Sequence, residues 1–258
     1  METAVNPPAE LATGAGAPAP GIEHGRRIER GPGISIIVPC WRNDGVAEAV
    51  AMRWLRNEAV REVLVALAGG TACAAAAAPA VRLVPCTRAG RGTQMNEAAR
   101  LAGGEILLFH HADTELTDEH LRSLSAAMLD PALAGGAFRR RFDERHPHLR
   151  WLEPFEALRC RCFGPVFGDQ SIFVRRTVFE AMGGFADVAL MEDVEFSCRL
   201  RRRGRLAVLT PAIGSSARKH LEQGRWRRTL ANAWLLFLYV VGVAPQRLHA
   251  WYYRRSRS

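Results

Sequence analysis

The sequence predicts an α/β fold, a mixed and mostly parallel sheet flanked by helices, with a C-terminal helical extension. Three observations predict it. Ile34-Ser35-Ile36-Ile37-Val38-Pro39 is a β-branched run stopped by proline, and Glu105-Ile106-Leu107-Leu108-Phe109-His110 is an apolar run of strand length. Strands buried on both faces of a parallel sheet read as such continuous runs. Between them lie segments of helical period, and strand-helix-strand alternation builds a parallel sheet covered on both sides.

Taken in order, Ile34–Pro39 is the first strand. Asn43 or Asp44 then caps a helix from Val46 to Asn57, with Ala47, Val50, Ala51, Trp54 and Leu55 inward. Glu62–Leu67 and Val81–Val84 are strands, Thr93–Leu101 is a helix, and 105–110 is the next strand. Beyond it, Thr117–Leu129 reads as helix, Ala137–Phe142 as an arginine-laden strand and His148–Arg159 as helix. Ser171–Val174 is a strand, Gly183-Gly184-Phe185 a turn, Asp193–Arg203 a helix and Leu206–Leu209 the last strand. From Arg225 to Val241 the chain is first basic, then apolar all round. Such a segment either packs into the protein or lies in a membrane interface. Packing is the preferred reading, and contact with a membrane surface through 225–244 is the other.

Composition bounds the function. The 258 residues are 48% hydrophobic and 24% charged, as in ordinary globular proteins. A net charge of +9 points to an anionic partner. The single lysine, Lys219, and the wealth of Arg, Ala and Gly also match the coding bias of a GC-rich genome. Basic residues are dispersed and no nucleic-acid motif is present, so no nucleic-acid partner is expected. Six cysteines show neither a CxxC pair nor zinc-ligand spacing, which fits reduced thiols in a cytoplasmic protein. Residues 1–32 are rich in Pro, Ala and Gly and read as a disordered tail without a secretory signal. The apolar run Trp234–Ala244 falls short of the roughly 20 residues of a spanning helix. The expected location is cytoplasmic, with peripheral contact at the inner membrane face as the variant. Residues 33–214 form the main domain, and 215–258 a loop and helical extension packing on it. The oligomeric state is left open.

Two acidic positions carry chemistry. The strand 105–110 runs into His111-Ala112-Asp113, which sets a carboxylate at the lip of the sheet, where ligands of open α/β sheets collect. A carboxylate there is suited to a divalent metal carrying a diphosphate. About eighty residues on, Met191-Glu192-Asp193-Val194-Glu195 opens a helical pattern. One acid for a metal and one for a proton suffice for metal-assisted group transfer. The plainer alternatives are that Asp113 caps a turn and that Glu192 and Asp193 decorate a helix start.

Several segments line up with one family. Ile34–Pro39 and Gly90-Arg91-Gly92-Thr93-Gln94-Met95-Asn96 resemble the nucleotide-binding half of family 2 glycosyltransferases. His110–Thr114, Gly168–Arg176, Met191–Glu195 and Ser215–Lys219 resemble the subgroup associated with radical-SAM and selenodomain genes, also labelled arsenosugar-biosynthesis glycosyltransferases. The resemblance covers residues 33–255. It implies a GT-A fold, a nucleoside-diphosphate sugar (a UDP-sugar above all), Mn2+ or Mg2+, inversion at the anomeric carbon, and a small-molecule or lipid-linked acceptor.

On this resemblance Asp113 takes the place of the last metal-binding carboxylate of a DxD motif, and His111 stands where the first Asp usually does. Asp193 is the implied general base, with Glu192 orienting the acceptor or supporting it. Arg91, then Arg218 and Lys219, would meet the leaving diphosphate. Gln94 and Asn96 resemble positions lining the nucleotide pocket, joined by Pro39, Asp44 and Ala112, while Asp169 and Gln170 belong to a loop shaping the donor and acceptor sites. One departure stands out. Ala68 occupies the end of the second strand, where family members carry an Asp that holds the base or ribose. The alternative is therefore a catalytically degenerate GT-A domain serving as a binding or scaffold protein.

Overall fold

Seven strands make one sheet in the order β3-β2-β1-β4-β6-β5-β7 in the computed structural model. It describes residues 32–41, 51–69, 79–88, 90–111, 114–142, 170–215, 234–239 and 241–255. The strands are β1 (Ile34–Cys40), β2 (Val60–Leu67), β3 (Val81–Pro85), β4 (Ile106–Phe109), β5 (Leu133–Phe142), β6 (Ile172–Arg175) and β7 (Arg205–Ser215). The helices are α1 (Arg91–Leu101), α2 (Asp118–Ala127), α3 (Arg176–Ala181), α4 (Glu192–Leu200) and α5 (Pro245–Arg255). Residues 51–54 and 234–239 are also helical. β1 pairs in parallel with β2 and β4, β2 with β3, and β5 with β7. Only β6 runs against its neighbours, β4 and β5. The sheet is thus mixed and mostly parallel, and the carboxyl ends of β1 to β4 share one edge.

Alternation along each strand divides the core in two. Ile36, Val38, Ile106 and Leu108 face Trp54 and, from α2, Leu121 and Leu124. Ile37, Leu64, Leu107 and Phe109 face Met95 and Ala98 of α1, Phe179 of α3 and Phe196 and Leu200 of α4. Because both faces are covered, β1 and β4 are apolar at nearly every position. The amino edge of the sheet is closed by a buried polar network. Ser35 Oγ donates to Glu62 Oε1 (2.8 Å) and accepts from the Gly104 amide (2.9 Å). The Gly103 amide also donates to Glu62 Oε1 (2.6 Å).

Three elements differ from the expectation. β5 begins at Leu133, four residues early, because Gly135 and Gly136 are inside it. A Cβ on Gly136 would lie 2.0 Å from the Ala207 carbonyl oxygen, and one on Gly135 2.4 Å from that of Phe173. Weak strand formers are required where the neighbouring backbones come that close. β7 continues past Leu209 to Ser215, and α3 is a helix where none was expected, while α5 falls in the stretch read as a C-terminal helical extension. The first part of the helix Val46–Asn57 and all of His148–Arg159 lie outside the described residues.

Candidate active site

A narrow crevice opens at the carboxyl edge of the sheet. It is lined by Pro39 from β1, Phe109, His110 and His111 from the end of β4, and Ile172 from the start of the antiparallel β6. Arg91 and Met95 of α1, Phe185, and Glu192 and Asp193 of α4 complete it. Antiparallel pairing of Phe109 with Ile172 brings the start of β6 to the edge where β4 ends. Of the residues singled out in the sequence, Pro39, Arg91, His111, Glu192 and Asp193 therefore share one cleft. Asp44, Ala112, Asp113, Asp169, Arg218 and Lys219 lie outside the described residues.

The acidic pair sits in the first turn of α4. Carboxylates are favoured there by the helix dipole, and Asp193 Oδ1 accepts a 2.8 Å bond from the Val194 amide. Met191, the residue before the helix, is left-handed at φ 67°. Such a conformation costs a bulky side chain energy and persists only where the surroundings impose it. The amino ends of α1 and α4 meet closely because Gly92 has no side chain. A Cβ there would lie 3.1 Å from the Ala186 carbonyl and 3.7 Å from Glu192 Cβ. Glu192 is buried and Asp193 half-buried. Burial, and then the negative charge of Asp193, push the Glu192 carboxyl above the usual range, while a backbone amide and Arg91 pull against them. Burial and charge thus favour a proton on Glu192, beside a more open Asp193.

His110 and His111 divide their work at the end of β4. His110 is fully buried, edge-on to Trp54 at 5.0 Å between ring centroids. Its Nε2 lies 3.3 Å from the Thr114 carbonyl and its Nδ1 2.7 Å from Ser171 Oγ. A carbonyl only accepts, so Nε2–H donates to Thr114 and, in the neutral ring, Nδ1 accepts a hydrogen bond from the Ser171 hydroxyl. Ser171 is the second non-glycine residue with positive φ, 54°. Both such positions among the described residues therefore adjoin the crevice. With His110 locked, the half-buried His111 follows at the mouth.

Gln94 and Asn96 shape the walls through the main chain. Gln94 is 3% exposed, and its Nε2 donates to the carbonyls of Cys40 (2.9 Å) and Ala66 (2.7 Å), tying the ends of β1 and β2 together. Asn96 grips the backbone of Phe185 and borders a neighbouring polar crevice, where Arg88 and Asp187 form a 2.6 Å ion pair. Gln170 is buried and donates to the Phe138 carbonyl at 3.2 Å. All three carry direct backbone contacts that polar exposure at a helix start or a turn does not require. Ala68 is 5% exposed, and its amide donates to the Cys40 carbonyl (2.9 Å), so a methyl group stands at the end of β2.

Sequence reasoning missed two supports of the site. Phe109, Phe179, Phe185 and Phe196 form a ring cluster with centroid separations from 4.3 to 5.7 Å. It fixes α4 against the end of β4, so both halves of the crevice share one hydrophobic anchor. Arg199 pairs with Glu195 (Nη2 to Oε2, 2.7 Å) and donates to the carbonyls of Met182 (2.8 Å) and Gly184 (2.7 Å). The i,i+4 spacing of Glu195 and Arg199 was the available signal for it.

This sheet order, with an open crevice over the carboxyl ends of β1 and β4 and an acidic helix start opposite, is the GT-A glycosyltransferase fold. Residues 69–183 match the model of glycosyl transferase family 2. Among solved structures it resembles the mannosyltransferase PcManGT from Pyrobaculum calidifontis in complex with GDP-Man and Mn2+. Identity is 22% over 85% of this chain and 68% of that one, with TM-score 0.62. TarS of S. aureus in complex with UDP is similar at 16% identity, over 71% of this chain and 60% of that one, TM-score 0.53. Its complex with UDP-GlcNAc gives 15%, 71%, 58% and 0.51. At these identities the likeness establishes the fold. The chain spans about two thirds or less of the length of these proteins. No curated protein matches it in sequence.

Proposed function

We propose that the protein transfers a sugar, with inversion, from a nucleoside-diphosphate sugar to the hydroxyl of a small-molecule or lipid-linked acceptor, with help from a divalent metal. The observation that carries this reading is the shared crevice, in which Glu192 and Asp193 face Arg91 and His111 across the edge of the sheet. In a single displacement the acceptor oxygen bonds to the anomeric carbon as the bond to the diphosphate breaks. The acceptor proton passes to a base on the acceptor side. Asp193, the less buried acid, takes that proton. Glu192 orients the acceptor or supports Asp193. Arg91, exposed at the start of α1, stabilises the negative charge that grows on the leaving diphosphate.

The residues fit a metal of the Mn2+ or Mg2+ kind. Among the described residues no three His, Cys, Asp or Glu side chains gather into a cage. Such ions commonly take one or two protein ligands and leave the rest to water and phosphate oxygens. His111 at the mouth, with Asp113 two residues on, would hold it, and when bound it supplies positive charge to the diphosphate. The order of the motifs also supports membership of the radical-SAM and selenodomain-associated subgroup. A UDP-sugar is the first donor proposed, and GDP-Man is the second because PcManGT, similar in fold, is seen in complex with it.

The test is release of free nucleoside diphosphate from a panel of UDP- and GDP-sugars, with manganese and with chelator. Release that requires metal supports the reading, and none from any donor contradicts it. Ala68 favours a second reading, a degenerate domain that has lost donor binding. A thermal shift with UDP or GDP and manganese separates the two, because only an intact pocket is stabilised by its ligand.

A further inference from the structure

We propose that Trp234, Phe237 and Val241, set in the basic C-terminal stretch, form a docking surface for an anionic lipid bilayer. The three side chains are 51%, 52% and 58% exposed. Trp234 and Phe237 recur at i and i+3 on the helix 234–239, and Val241 follows in the turn beyond it, its amide donating to the Phe237 carbonyl at 3.0 Å. The Trp234 and Phe237 rings stack on each other at 5.4 Å. Leu235, on the other side of the same helix, is 2% exposed, as is Leu248 of α5. One face of the segment is therefore anchored in the protein, and the aromatic face has no partner among the described residues.

Charge and composition identify the occupant. From Gln223 to Ser258 there is no Asp or Glu, and there are seven arginines: 225, 227, 228, 247, 254, 255 and 257. Those seven supply most of the chain's net charge of +9. The same stretch holds all three tyrosines and three of the six tryptophans. Tryptophan and tyrosine favour the headgroup level of a bilayer, and arginine is drawn to anionic lipid. Among the described residues no helix is long and apolar enough to cross a membrane, so the segment lies on the surface.

A bilayer docked on the aromatic face would bring the protein to lipid-borne hydroxyls. This consequence rests on the transferase reading and selects a lipid-borne acceptor from the two acceptor classes. The docking itself does not rest on it.

The experiment is flotation of the full chain with phosphatidylcholine vesicles, with and without phosphatidylglycerol, across a salt series. The expected result is binding to the anionic vesicles that weakens steeply with salt. The double variant Trp234→Ala/Phe237→Ala should weaken it by about tenfold or more, and Arg247→Glu should lower it further. All three side chains are exposed, so circular dichroism and melting should match wild type. Absence of binding to anionic vesicles at low salt overturns the proposal, as does equal binding by the double variant. So does a dimer that this variant disrupts without any vesicle binding, which would assign the face to a second copy. Vesicle binding needs no donor sugar, so its failure and that of the release assay are read separately.

Discussion

Asn96 and Phe185 hold one another through two hydrogen bonds of equal length. The side-chain amide donates to the Phe185 carbonyl and the side-chain oxygen accepts the Phe185 amide, both at 2.8 Å. Phe185 lines the crevice and packs on Phe196 of α4 at 4.3 Å, so a change at Asn96 reaches the acidic pair. Asn96→Ala leaves both backbone groups without their partner, at about 1–3 kcal/mol for each one kept from water. The expected outcome is a clear fall in melting temperature and a lower turnover with donor affinity less affected. Unchanged melting would contradict the role given to this residue.

Gly184 should be far less replaceable than its neighbour. Both Gly183 and Gly184 have φ of 74°, but a Cβ on Gly183 meets open space, whereas one on Gly184 falls 2.5 Å from Asn96 Oδ1 and 3.2 Å from the Phe179 ring. Gly183→Ala carries only the backbone penalty, about 1 kcal/mol. Gly184→Ala adds a collision with the clamp described above and should cost at least about twice as much. Chemical denaturation of the two variants, side by side, measures the difference.

The Glu192 carboxyl makes stability depend on pH in a definite direction. Its folded value is raised above that of an ordinary glutamate, first by burial and then by Asp193. Between the ordinary and the raised value the folded state binds more protons than the unfolded state. Stability therefore falls as pH rises through that window, and the penalty is absent below it. Glu192→Gln removes the ionisation. The melting-temperature gain of this variant over wild type should grow from acidic to neutral pH, and a gain independent of pH would contradict the argument.

The thiols should separate under native labelling. Cys86 is buried, and burial together with Glu97 pushes its pKa up to about 12. Cys198 is exposed on α4, though its pKa is raised as well. Because the thiolate is the reactive form, iodoacetamide at neutral pH should modify Cys198 well before Cys86, as read by peptide mass. Equal rates would show that the Cys86 pocket opens readily.

What the sequence made legible follows from where the determining contacts lie. β1 and β4 could be read because burial on both faces writes itself into consecutive residues, and Glu192-Asp193 because an acid pair opening a helical pattern is a local signal. Gly135 and Gly136 hid the start of β5, since what demands them is the approach of Phe173 and Ala207 from other strands. The phenylalanine cluster that joins the two halves of the site was invisible for the same reason. Gln94 was legible as a polar residue near the pocket, but not as the buried tie between β1 and β2, which is set by two carbonyls distant in the chain. Pro245 at the first position of α5 was a readable helix start that the apolar run before it obscured.

The central claim is that Asp193 accepts the acceptor's proton while the donor is held by other groups. The most direct measurement sets the turnover of Asp193→Asn beside its thermal shift with nucleoside diphosphate and manganese. The account predicts turnover lower by about a hundredfold or more with the thermal shift retained. Turnover equal to wild type in Asp193→Asn would contradict it.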